Sequence, residues 1–322
     1  MQVSVVIPVC DAERYVRQAV QSALAQPETG EVLLVEDGSG DDSLRACAQL
    51  AGESPRVRLL RHADGKNHGP GASRNLGIKS ARLEYLAFLD ADDYFLPGRF
   101  AVARTLLEND PALEGVYEAV GFEFDDEESR QRWTQEHGPA VLTTMNERVA
   151  PEELFEKQSP LGFSGHCTTG GWVLRKSVLA RTGLFDEGLR LHQDTVMFVR
   201  LAAVGRMMPG RLDEPVAIRR VHGANRSSSL RPTSAVYRDR IRMWVSLWRW
   251  GKANLPRGRQ DLLLSRFLRY VGEPSGRPGS PIGSRIRSRI RLSLLGLANP
   301  GLLLEPRFWA AHLKLPLPRR LK

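Results

Sequence analysis

The sequence predicts an α/β protein: a mostly parallel central sheet flanked by helices, followed by a mainly helical, basic C-terminal extension. Three observations predict it. Short apolar runs of strand length alternate with segments of helical spacing over roughly the first hundred residues. Each connection is the size of a single crossover helix, which joins parallel strands of one sheet. The charge is also split. Residues 231–322 hold 20 Lys and Arg against 4 Asp and Glu, so +16 of a chain total of +9 lies there and residues 1–230 carry −7.

The elements follow in order. Residues 3–9 are a continuous apolar run, read as a buried strand. Val16, Ala19, Val20, Ala23 and Leu24 keep helical spacing, and Pro27 and Gly30 end that helix. Residues 31–35 form a second strand. Asp41 or Asp42 can cap the next helix, whose apolar face is Leu44, Cys47, Ala48 and Ala51. Residues 57–60 give a third strand, 72–81 a helix and 85–89 a fourth strand. Pro97 opens a helix to about Asn109, and residues 115–124 read as one strand. The acidic run 125–128 reads as a solvated loop. A second apolar block spans 166–174, then a short helix 176–181, a helix 193–204, a strand 215–221 and a helix 235–250. The Gly, Pro and Ser content of residues 272–283 marks a linker.

Bulk properties bound the function. The 322 residues suffice for one large domain with appendages or for two domains. A composition 42% hydrophobic and 26% charged excludes disorder throughout. The expected organisation is a catalytic domain over 1–230, split into halves 1–110 and 111–230, and an extension over 231–322. Cys10, Cys47 and Cys167 are sparse and form no CxxC pair, which argues against a disulfide framework or a zinc site and for a reduced, cytoplasmic compartment. The N-terminus lacks the pattern of a signal peptide. The apolar stretch 292–304 is broken by Gly296, Asn299, Pro300 and Gly301, and falls short of the ~20 apolar residues a spanning helix needs. The sequon at Asn225 is therefore expected to stay unglycosylated.

Acids crowd the carboxyl ends of the predicted strands, where open α/β sheets bind ligands. Asp11 follows the first strand, Glu36 and Asp37 the second, and Asp90, Asp92 and Asp93 the fourth. Asp-x-Asp at a strand end offers hard oxygens to a divalent cation that also holds phosphates; a solvated turn before the next helix explains the same residues. EDGS at 36–39 can accept hydrogen bonds from a base or ribose, or can simply form a turn and N-cap. GPGASRN at 69–75 opens a helix whose amides, with Arg74, suit a diphosphate. Arg74 stands where the third glycine of GxGxxG would, which disfavours a dinucleotide-binding oxidoreductase.

Together SVVIPV (4–9), EDGS (36–39), GPGASRNLG (69–77) and FLDADD (88–93) resemble, in order and spacing, family 2 glycosyltransferases of the GT-A fold. GLFDE (183–187), Gln193-Asp194, the strand up to His222, and then Asn225 and Ser227 are similar to that family's later blocks. The resemblance covers about residues 1–230. It implies an inverting transfer of a sugar from a nucleoside-diphosphate-sugar, a UDP-sugar foremost, to a hydroxyl of a glycan or lipid-linked acceptor in polysaccharide or glycolipid biosynthesis. It implies that Pro8, Asp11 and Asp37 line the nucleotide pocket, with Asp37 meeting the base. Arg74 would lie by the diphosphate, and Asp90 would face the ribose or sugar. Asp92, with His222, would bind Mn2+ or Mg2+, and Asp194 would be the general base.

Three positions depart from the family pattern: Cys10-Asp11 where Tyr-Asn is common, Glu36 for Asp, and Gln193 for the Glu before the base. A catalytically degenerate homologue or a membrane-surface binding protein are therefore alternatives. A nucleotidyltransferase is disfavoured because no Gly-rich, Lys-bearing N-terminal loop is present. Trp172 could stack on an acceptor sugar or pack in the core. Trp244, Trp248 and Trp250 read as a helix face. Arg285, Arg287, Arg289 and Arg291, followed by a leucine-rich stretch, suit an anionic membrane surface or a solvated helix packed on the catalytic domain. Peripheral attachment at the inner face of the cell membrane would follow from the first. No motif supports nucleic-acid binding.

Overall fold

β1 (Val3–Val9) forms where the sequence is apolar without interruption, and all its residues except Pro8 are buried. It is the third strand of a seven-stranded sheet in a computed structural model that describes residues 1–138, 142–223, 233–272 and 281–313. β2 (Thr29–Glu36), β3 (Val57–Arg61) and β4 (Tyr85–Phe88) run parallel to it in the order β3-β2-β1-β4. Helices α1 (Val16–Leu24), α2 (Ser43–Glu53) and α3 (Pro70–Ser80) make the crossovers. α1 buries Val16, Ala19, Val20 and Ala23, a stripe at helical spacing.

Strand order reverses between β1 and β4, the place where such sheets bind ligands. Their pairing stops at Val6 and Phe88, whereas β1 continues to Val9 against β2 alone. The last residues of β1 thus border an opening in the sheet.

The chain then builds the second half of the sheet. β5 (Tyr94–Phe95) precedes α4 (Ala101–Asn109), which starts later than Pro97 because Gly98 turns the chain at φ 71°. Residues 115–124, expected as one strand, are two: β6 (Gly115–Tyr117) and β7 (Val120–Phe124), in different sheets. The chain switches sheets at Glu118 and Ala119. Glu118 is fully buried and pairs at 2.8 Å with Arg99, itself fully buried between the rings of Phe95 and Phe100. Arg99 also donates to the carbonyl of Trp172 at 3.1 Å. Burial lowers its guanidinium to about 10, against the pull of Glu118.

The acidic run 125–128 is not a free loop. Asp126 accepts the Ser129 amide and caps α5 (Glu127–His137). α6 (Leu154–Lys157), β8 (Trp172–Arg175), α7 (Leu179–Thr182), α8 (Gln193–Val204), β9 (Met207–Pro209) and β10 (Ala217–Val221) follow. β8 is antiparallel to β4 and to β6, and completes the order β4-β8-β6-β9. β10 sits between β5 and β7 in a small second sheet. Trp172 is a core residue rather than a sugar platform: it is fully buried and stacks on Phe198 at 5.4 Å.

The chain divides into two compact units, Met1–Met243 and Trp244–Lys322. The division falls inside α9 (Thr233–Asn254), while the boundary expected at 230 lies outside the described residues. The second unit is helical, with α10 (Arg257–Gly272), α11 (Pro281–Ala298), a 3-10 turn at Pro300–Leu304 and α12 (Pro306–Leu313). α10 is an addition to the sequence-based expectation. Trp244 and Trp248 are buried, and Trp244 stacks on Phe267 at 6.0 Å, as a packed helix face requires. Residues 273–280 of the expected linker lie outside the described residues. Among the described residues no helix is long and apolar enough to cross a membrane.

Candidate active site

The three clustered carboxylates after β4 each meet a different partner. Asp90 accepts from Arg74 of α3 at 2.5 Å. Asp92 Oδ2 lies 3.1 Å from His222 Nε2, just past β10. Asp93 accepts the backbone N–H of Arg220 at 2.9 Å. Burial, and then the charges of Asp92 and Asp90, push the Asp93 carboxyl well above the usual carboxylate range.

Arg220 organises this side of the opening. It reaches the carbonyl of Asp92 at 3.2 Å, Glu123 at 3.2 Å and Asp125 at 3.4 Å, and covers the ring of Tyr15 at 4.9 Å. The Tyr15 ring in turn lies 5.0 Å from His222. Strand alternation puts residues 220 and 222 on one face, so a sequence signal for Arg220 existed.

On the other side, the loop before α3 folds over the end of β2. Asp37 is 1% exposed, and its two oxygens accept the amides of His68 (2.7 Å) and Gly69 (2.8 Å). Asp37, for which the resemblance implies contact with a base, uses both of its oxygens to hold the loop from beneath. Gly38 has φ 67°, and a side chain there would strike the Asn67 amide at 2.7 Å. Asn67 donates to the Asp37 carbonyl and accepts from Arg190 at 2.8 Å. Asp11 takes the left-handed conformation at φ 51° and accepts the Gly40 amide at 2.7 Å. Pro8 is half-buried in β1 beside it. Glu36, the longer acid, is buried, accepts the Ser39 amide and pairs with Arg61 at 2.8 Å. Of the two acids expected to cap α2, Asp42 holds the N-cap position without a side-chain cap bond, and Asp41 before it accepts the Ser43 amide at 3.0 Å.

Removing the Asp37 carboxylate should orphan two amides, each costing about 1–3 kcal/mol. Asp37→Ala is expected to lower the urea midpoint by a corresponding amount. A midpoint equal to wild type would mean that the loop amides do not depend on this side chain.

Asp194 opens α8. Its Oδ1 accepts the Thr195 amide at 2.8 Å, and among the described residues Oδ2 has no hydrogen-bond partner. Gln193 beside it is buried, and its Oε1 is unpartnered, so close to Gly71 that a methyl there would lie 2.5 Å away. A neutral amide therefore fits a place where a carboxylate would be a buried charge. His166 lies on the loop before β8 and is exposed. Desolvation lowers its imidazole, while the nearby Asp194 charge pulls it up. His166 and Arg190 sit on loops without periodic pattern, and sequence reasoning did not find them.

Asn75 ties these halves together. Its amide donates to the Phe185 carbonyl (2.9 Å) and to Glu187 (2.8 Å), and its oxygen accepts the Phe185 amide (2.9 Å). The next residue back, Arg74, is 4% exposed and packs on the Phe185 ring at 5.5 Å.

Among the described residues no group of three or more His, Cys, Asp and Glu is arranged to hold a metal. Asp92 and His222 do converge, and a two-donor set that leaves positions for phosphates and water suits magnesium or manganese. Asn225 and Ser227 lie outside the described residues.

Comparison with known proteins fits this geometry. The model of glycosyl transferase family 2 matches residues 4–183. The minor teichoic acid biosynthesis protein GgaA of Bacillus subtilis is 26% identical over 62% of this chain. The uncharacterized glycosyltransferase alr2836 of Nostoc is 28% identical over 71% of this chain and 67% of its own length. The chain spans less than half of the GgaA sequence, 42%, and 17% of an uncharacterized Rickettsia felis glycosyltransferase. Among solved structures, S. aureus TarS 1–349 superposes with a TM-score of 0.64 at 18% identity, covering 98% of this chain and 88% of that one. The mannosyltransferase PcManGT of Pyrobaculum calidifontis, in complex with GDP-Man and Mn2+, gives 0.54 at 15% identity, covering 97% and 83%. The sheet order and helical flanks are those of the GT-A fold, and the family match extends over more than half of the sequence: the chain belongs to glycosyl transferase family 2.

Proposed function

We propose that the chain is an inverting glycosyltransferase that moves a sugar from a nucleoside-diphosphate-sugar, a UDP-sugar first among them, to a hydroxyl of a glycan or lipid-linked acceptor in polysaccharide assembly. The observation that carries this is the meeting of Asp90–Arg74 and Asp92–His222 at the opening between β1 and β4. Further support comes from the company the chain keeps: TarS 1–349 has been solved with UDP-GlcNAc, PcManGT with GDP-Man, and GgaA belongs to teichoic acid biosynthesis.

In this reading the loop held by Asp37, with Pro8 and Asp11, shapes the nucleotide pocket. Arg74 stands by the diphosphate and also orients Asp90 towards ribose or sugar. Asp194 Oδ2 takes the proton of the acceptor hydroxyl, and that oxygen attacks the anomeric carbon from the face opposite the departing diphosphate. The carbon–oxygen bond to the new acceptor forms as the bond to phosphate breaks, which inverts the centre. A divalent metal on Asp92 and His222, when bound, would neutralise charge gathering on the leaving diphosphate. Arg74 adds fixed positive charge at the same place.

Thermal unfolding with UDP, GDP, CDP and dTDP and their sugars, in manganese or in EDTA, tests the donor site. A ligand at 100 times its Kd should add about 2.7 kcal/mol. A metal-dependent stabilisation by one base, lost in Asp92→Asn, is expected. No stabilisation by any of them would overturn the proposal.

A further inference from the structure

Six large hydrophobic side chains are exposed among the described residues, and five of them lie between 290 and 309. Apolar residues scattered singly over a surface are ordinary; a concentration marks a contact site. Ile290, Leu294 and Leu297 are 53%, 61% and 73% exposed. Their i, i+4, i+7 spacing puts them on one side of α11, and Leu292 and Leu295 on that helix are buried. Leu304 and Trp309, 82% and 44% exposed, follow on the 3-10 turn and on α12, which both pack against α11.

The sequence in this region is strongly basic. Residues 281–322 hold nine Lys and Arg and one acid, Glu305, which is buried. Arg289 is exposed next to Ile290. We infer that this face of the second unit docks on an anionic lipid bilayer, with the leucines and Trp309 entering the headgroup boundary and the arginines meeting lipid phosphates. The combination decides between occupants. A second copy would set arginines against arginines. A nucleic acid would satisfy the charge and leave the leucines in water. An anionic bilayer takes both, as amphipathic interfacial helices do, and a tryptophan belongs at such a boundary. This surface is separate from the donor site and does not depend on the activity proposed above.

The test is co-sedimentation of the full chain with vesicles of equal parts phosphatidylglycerol and phosphatidylcholine, and with phosphatidylcholine alone. The wild type should prefer the anionic vesicles, and salt should weaken binding. Leu294→Asp with Leu297→Asp should weaken it by about tenfold or more. Arg285→Glu with Arg289→Glu should do the same and flatten the salt dependence. Circular dichroism and the nucleotide-induced thermal shift of these variants should match wild type, which separates this surface from the donor site. Three results would overturn the inference: equal binding to neutral vesicles, undiminished binding of the leucine variant, or dimerisation of wild type without vesicle binding.

Discussion

Asp194→Asn is expected to slow sugar transfer by about 10²–10⁴-fold, with thermal unfolding and nucleotide binding close to wild type. The asparagine keeps the shape and can still accept the Thr195 amide that orients the side chain. It loses only the capacity to take a proton on the oxygen that has no partner among the described residues. Hydrolysis or transfer of the stabilising nucleotide-sugar, followed by release of nucleoside diphosphate, is the measurement. Asp92→Asn should also abolish turnover, but by a different route, because it should weaken the metal-dependent nucleotide response as well. The two variants thus separate proton transfer from donor binding. Near wild-type turnover in Asp194→Asn would remove that residue from the role of base.

The largest expected effect on stability lies far from the chemistry. Glu118→Ala leaves the Arg99 guanidinium fully buried without its anion, and breaking such a pair typically costs about 3–5 kcal/mol. For a unit of this size, that is a fall in Tm of about 6–20 °C. The Arg211 amide, which donates to Glu118 at 3.2 Å, is orphaned too. Arg99→Met combined with Glu118→Leu should recover most of the loss, since removing both charges spares their desolvation. If the single substitution left Tm unchanged, the pair would contribute nothing to holding the β5–α4 segment against β6 and β7.

Much of the fold was legible because buried parallel strands are written as continuous apolar runs. The strands around Val5, Leu33 and Leu86 could hardly be anything else. The same logic fails at residues 115–124. Glu118 and Ala119 look like one polar and one small residue inside a strand, and periodicity does not reveal a change of sheet. The run at 125–128 is solvated, as its charge suggests, but charge does not tell loop from helix, and Asp126 and Ser129 form a cap only once the next turn is helical. Within the site, acids at strand ends could be placed on the right rim by sequence. Their partners could not. Asp92 meets His222 across 130 positions, and Asp37 turns under a loop whose path depends on Gly65 and Gly69 at positive φ. The helical spacing of Leu264, Phe267, Leu268 and Val271 does mark α10, and its buried face in the second unit follows from it.

The hydrogen bonds of Asn75 to Phe185 and Glu187 span 110 and 112 positions and make one amide the tie between two distant segments. They tie α3, which carries Arg74, to the segment leading to Asp194 through one side chain. A substitution at Asn75 should therefore be felt at both ends, at the helix that carries Arg74 and at the segment before Asp194.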